Sequence, residues 1–168
     1  MTSKAIFGRT EPTIVRGGAH VSVYLVPVFE GRLVAFDVTA QEARGRWLPW
    51  TVLDWGQNPY EAASGLTDQW CGGAVSDLSL ADVLSLDVPG GGWELAIVFR
   101  AELIERPPSQ SDRTPFLFEP GQYDAIAAFY PVDLQRWVER GPASTPLTAA
   151  TSTDHGDDAD GDRERLVF

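Results

Sequence analysis

Few side chains in this sequence carry chemistry by type, and spacing narrows them further. Cys71 is the only cysteine, so neither an intrachain disulfide nor a four-thiolate metal site can form. His20 and His155 are the only histidines. His20 opens a strand-like run and His155 sits among aspartates near the end of the chain, so neither makes a thiol–imidazole pair with Cys71 or a zinc spacing. Cys71 reads instead as a small residue at a helix end. The carboxylates Asp54, Glu61, Glu94, Glu102 and Asp124 would hold a hard cation only if two or three converged; singly, each reads as a solvated charge. Gly90-Gly91-Gly92 lacks the Lys-Ser/Thr of a phosphate loop and precedes a strand, which makes it a flexible hairpin connection. The aromatic pattern is denser. Four of the six tryptophans, Trp47, Trp50, Trp55 and Trp70, fall within 24 residues. They either pack on one another as core or present an aromatic surface to a base or a partner protein.

These residues need elements to position them. Val21, Val23 and Leu25 alternate with their neighbours in a strand rhythm, with Pro27 suggesting an edge or a bulge. Glu30-Gly31 reads as a tight hairpin turn before Leu33-Val34-Ala35-Phe36. Asn58-Pro59 opens a helix, as N-cap and first helical residue. Ala62, Ala63, Leu66 and Trp70 share a face of it, and Gly72-Gly73 stop it. A long strand is expected from Trp93 to Ile104, short ones at Phe116–Phe118 and Ile126–Tyr130, and a closing helix over Val132–Arg140. Strands and hairpins around helices predict an α/β sandwich with a mixed sheet.

Length and charge bound the rest. The 168 residues suit one domain: an N-terminal extension (1–18), a folded body (19–140) and a tail (141–168). The net charge is −11, of which the tail, with Asp154, Asp157, Asp158, Asp160, Asp162 and Glu164 against Arg163 and Arg165, carries −4. The tail has too few apolar side chains to offset its ordering entropy and is expected to be disordered, although it ends on the apolar Leu166-Val167-Phe168, which would suit a docking peptide. The acidic balance disfavours nucleic acid and anionic membranes as partners. With no apolar run of about 18 residues and no basic-then-apolar leader in Met1–Thr13, a cytoplasmic location is expected.

The stretch Leu48 to Gly72 resembles the signature of the Nudix hydrolase superfamily. Leu48, Pro49, Gly56, Pro59, Glu61, Ala62 and Gly72 fall on matching positions without a gap, and Asp54 replaces a glutamate. Gly31-Arg32-Leu33-Val34, the run Trp93–Ala101, and Phe129-Tyr130-Pro131-Val132-Asp133-Leu134 are similar to the strands and last-helix entry of that family, so the likeness extends over His20–Arg140. It implies a Nudix-like α/β/α sandwich. In the family, three glutamates of the helix hold magnesium, which binds a diphosphate and the attacking water. Here those positions are Leu66, Gln69 and Trp70; the arginine before them matches Gly65, the opening glycine Thr51, and a further glutamate Gln57.

Positions 66, 69 and 70 share one side of an α-helix, so carboxylates there would converge on one cation. Leu66 and Trp70 offer no oxygen, and Gln69 offers one neutral carbonyl. Asp68 lies about 200° around an α-helix from Leu66 and cannot substitute. The expected function is therefore a catalytically degenerate domain with no cofactor, leaning away from an enzyme, that binds a protein partner or a nucleotide-like small molecule through Trp50, Trp55, Leu66, Gln69 and Trp70. Arg44, Arg46 and Arg100 are available to an anion. The alternative is a divergent hydrolase of nucleoside-diphosphate-linked compounds using magnesium or manganese on relocated carboxylates, Asp54, Glu61 and Glu94. Calorimetric titration with magnesium is expected to give no saturating heat; micromolar binding that vanishes in Asp54→Asn or Glu61→Gln would contradict the first reading.

Overall fold

A mixed sheet is built outward from its central strand. The structure, a computed structural model, describes residues 19–39, 45–88, 92–123, 126 and 129–140; the N-terminal extension, the tail with His155, Arg44, Gly90, Gly91 and Asp124 lie outside them. The elements in chain order are β1 (Ala19–Phe29), β2 (Arg32–Val38), β3 (Gly45–Trp47), β4 (Trp50–Val52), α1 (Pro59–Leu66), a π-helical turn (Thr67–Cys71), β5 (Val75–Val88), β6 (Gly92–Leu103), β7 (Arg113–Leu117) and α2 (Pro131–Glu139). The strand order is β3-β2-β1-β6-β5, with β4 also on β1 and β7 also on β2. Among the described residues only the β1–β6 pair is parallel, running from Ala19↔Trp93 to Val28↔Glu102; the others are antiparallel.

Strand alternation sorts the apolar residues into two layers. Val23 and Leu25 with Val34 and Phe36 face Ala62, Ala63 and Leu66 of α1. Tyr24, Val26 and Val28 with Leu33 and Ala35 face Leu134, Trp137 and Val138 of α2. The sandwich thus has a helix on each side of one sheet.

The local signals act as their chemistry dictates. Glu30 and Gly31 both take positive φ (50° and 71°), as a two-residue hairpin requires. Asn58 Oδ1 accepts from the Tyr60 amide at 2.8 Å, capping α1. Gly72 and Gly73 (φ 85° and 80°) end the helical segment, and the Gly73 amide donates to Thr67 O at 3.0 Å. The strands flanking 89–91 pair as a hairpin through Val88↔Gly92.

Three readings change. Pro27 marks neither an edge nor a bulge, because β1 is central. Its nitrogen lies on the same side as the Leu25 amide, which donates to Pro49 O. The missing donor therefore falls between the β4 pairing at residues 22–24 and the β2 pairing at 28–29. The expected strand at Ile126–Tyr130 is not one at its described positions. Phe129 turns its ring edge-on to both Tyr24 and Trp137, and Tyr130, before Pro131, is the N-cap of α2. Finally, β5 has no counterpart among the expected strands. Its alternation is broken by irregularities at Val75/Asp77 and Leu80/Asp82, so apolar residues switch sides along the strand.

α2 is tied to β5 by polar contacts as well: Trp137 Nε1 donates to Asp82 Oδ2 at 3.0 Å, and Arg136 pairs with Asp82 and Asp133. Burial pushes the Cys71 thiol up to about 12, because desolvation penalises the thiolate. Leu134→Ala, at a fully buried site, is expected to cost about 2–5 kcal/mol in urea unfolding. Cys71 is expected to resist alkylation by iodoacetamide at pH 8 in the folded chain and to react fully once urea unfolds it.

Candidate functional site

The helical face where carboxylates would have met is built from α1 and the π-helical turn after it. The turn alters the spacing. Leu66 and Cys71, five residues apart, are the pair directed into the core, as a π register places them. Trp70 is left at the margin, half-buried, its ring edge-on to Phe36 with centroids 5.2 Å apart. Asp68 and Gln69 are exposed. The chain after β6 then folds over this end. Gln110 Nε2 donates to Gln69 O at 2.9 Å. Pro108 lies where a Cβ on Gly72 would meet it at 3.5 Å. Arg113 sets its guanidinium 4.2 Å from the Trp70 ring centroid, while its Nε donates to Asp112 at 3.2 Å.

A divalent metal does not fit this face. A hard cation needs several charged oxygens, whereas Leu66 is in the core, Trp70 has no oxygen, and the fixed positive charge of Arg113 stands beside them. Nor are the relocated carboxylates assembled. Asp54 and Glu61 are exposed before and within the first turn of α1, Glu94 is buried on β6, and Glu102 is paired with Arg100. Among the described residues no group of three or more His, Cys, Asp or Glu is placed to hold a metal.

The tryptophans are dispersed rather than gathered. Trp47 is buried on β3. Trp50 stacks on Tyr24 (centroids 6.2 Å, planes 22° apart) in the α2-side layer. Trp70 belongs to the α1-side layer. Trp55 is fully exposed in the turn before α1. The five residues Trp50, Trp55, Leu66, Gln69 and Trp70 therefore do not line a single surface.

A different cluster is assembled on the α2 side, near the start of β1. His20, Ser22 and Tyr24 alternate along β1, and Glu94 is the β6 residue opposite His20. Tyr24 Oη donates to Glu94 Oε1 at 2.9 Å, and His20 Nε2 lies 3.7 Å from Glu94 Oε2. Glu94 is 1% exposed. Ser22 Oγ and His20 Nδ1 are buried without a hydrogen-bond partner, unusual for polar atoms taken out of water. Trp50, opposite Tyr24 on β4, supplies an aromatic wall. Such a set brings a carboxylate acceptor, a hydroxyl and a ring nitrogen together beside π faces. From sequence, Glu94 reads only as a possible metal ligand. The available signal is parity: the even positions 20, 22 and 24 are polar in a strand whose odd positions are apolar.

No family model and no curated protein matches the sequence. Solved structures do match in shape. A MutT Nudix hydrolase from Burkholderia pseudomallei aligns over 70% of this chain and 97% of its own, at 21% identity and TM-score 0.54. A MutT protein from Methanosarcina mazei Go1 aligns over 73% and 95%, at 13% identity and TM-score 0.60. The Bacillus subtilis pyrophosphohydrolase BsRppH, in a glutamate-to-alanine variant, aligns over 78% and 86%, at 16% identity and TM-score 0.52. With one helix on each side of its mixed sheet and these neighbours in shape, the chain has a Nudix-like fold.

Proposed function

We propose that this Nudix-fold domain binds a nucleotide-like small molecule without hydrolysing it, as a ligand-sensing or interaction module. The observation that carries the reading is the filling of the helical face: Leu66 in the core, Trp70 against Phe36, and Arg113 over Trp70. No carboxylate clamp is left there to polarise a phosphoryl group. The names of the structural neighbours describe hydrolases, and their chemistry does not transfer to a face lacking its ligands.

The ligand is assigned to the α2 side. A planar group would lie against Trp50, which Tyr24 backs. Glu94 would accept from its N–H edge, and Ser22 Oγ and His20 Nδ1 would gain the partners they lack. Glu94 is held for this by Tyr24, so ordering costs on binding are small. No step of bond cleavage is assigned to any of these residues.

The test is a metal-free thermal-shift and calorimetric panel of nucleosides, nucleotide sugars, dinucleotides and nucleoside triphosphates. At least one class is expected to raise Tm, with the shift lost in Trp50→Ala and affinity reduced about tenfold or more in Glu94→Gln, since a charge-assisted hydrogen bond contributes roughly 1.5–3 kcal/mol. The same panel with magnesium or manganese is expected to release no phosphate. Release that scales with protein and survives purification would establish the hydrolase reading instead.

A further inference from the structure

The α1 side of the sheet is only partly covered. α1 packs over β1 and β4, and its Tyr60 ring is edge-on to Phe99 of β6. Beyond it, the β5–β6 hairpin presents Leu80, Val83 and Trp93, which are 55%, 49% and 41% exposed. Cross-strand register makes this one surface: Leu80 is opposite Phe99, Val83 opposite Ile97, and Ser85 opposite Leu95. Ser85 Oγ accepts from Trp93 Nε1, fixing the indole on it. Leu95, Ile97 and Val21 continue the surface. Several apolar side chains left together on one sheet face mark a covered surface more often than a solvated one.

We infer that this face is covered by the chain's own N-terminal segment, residues 1–18, with Ile14 and Val15 folded back over Trp93 and Val83. Position is the first argument. The segment joins β1 at Ala19, and Ala19 is the residue opposite Trp93, so it enters at the edge of the uncovered surface. Reach is the second. From Ala19 back to Ile14 is five residues, at most about 17 Å; Trp93 to Ile97 along β6 is about 13 Å. Gly17-Gly18 allows the chain to reverse between the two, since glycine takes the positive φ that tight reversals need. Pattern is the third: the segment holds two apolar clusters, Ala5-Ile6-Phe7 and Ile14-Val15, either side of Pro12. Charge is the fourth. The segment has Lys4, Arg9 and Arg16 against Glu11, net +2, in a chain of net −11; opposite Trp93 on β5 stands Asp87, and β5 has no basic residue. A tether this short keeps the segment at millimolar effective concentration beside the face, so weak contacts suffice.

The test uses the full chain with a cysteine pair, Val15→Cys with Val83→Cys, oxidised by copper–phenanthroline. Cys71 is buried and does not compete. The pair is expected to close as an intramolecular disulfide at least tenfold faster than a control pair, Val15→Cys with Val132→Cys, whose second site is exposed on α2. Equal rates for the two pairs would overturn the inference, and so would a product that is mainly disulfide-linked dimer, which would assign the face to a second copy. A thiol-free readout is Ile14→Asp with Val15→Asp in the full chain. It is expected to raise the fluorescence of an added naphthalene-sulfonate dye severalfold while leaving the far-ultraviolet spectrum unchanged. Dye fluorescence equal to that of the parent chain would overturn it as well.

Discussion

The parallel pairing of β1 with β6 is the constraint on which the remaining structure depends. It runs without interruption from Ala19↔Trp93 to Val28↔Glu102 and joins stretches about seventy residues apart in the chain. A parallel pair requires a crossover, and here that crossover contains β2 to β4, α1 with its π-helical turn, and β5. Once β1 is central, both its faces must be covered, which is why its apolar residues run through both parities from Val23 to Val28. Its other edge is shared between β4 and β2, with the donor-less Pro27 in the gap between them. Each layer of the sandwich is then defined by which parity of β1 it covers.

Legibility in the sequence follows the range of the forces involved. The Glu30-Gly31 turn, the Asn58-Pro59 helix start, the Gly72-Gly73 stop and α2 are set by backbone preferences of the residues themselves, and reading them requires no neighbour. β5 is illegible because two irregularities move its apolar residues between faces: Leu78 and Leu80 serve the α1 side, Leu84 and Leu86 the other. A fixed period of two cannot follow that change. The π-helical turn is likewise hidden, since it replaces a spacing of four by one of five without any distinctive residue. The dispersal of the tryptophans cannot be read either. Trp50 and Trp70 are close in the chain, but the first is on a strand facing α2 and the second on the segment packed against the opposite side.

The two sides of the sheet therefore carry different commitments. The α1 side is occupied by the chain itself around Leu66, Trp70 and the segment from Pro107 to Arg113. The α2 side retains polar atoms without partners, at Ser22 and His20, under an aromatic wall. Buried polar groups are tolerated when something satisfies them. The arrangement around Glu94 is also held on both strands of the central pair, so its geometry is as rigid as the sheet.

The Arg113–Trp70 stack has a consequence for how the domain meets its surroundings. A metal-bound face has a charge that depends on supply: it is filled when the cation is abundant and empty when it is scarce. A guanidinium on the polypeptide has no such dependence. The guanidinium over Trp70, paired with Asp112, is therefore a fixed part of the chain, set at synthesis and not by the supply of a cation.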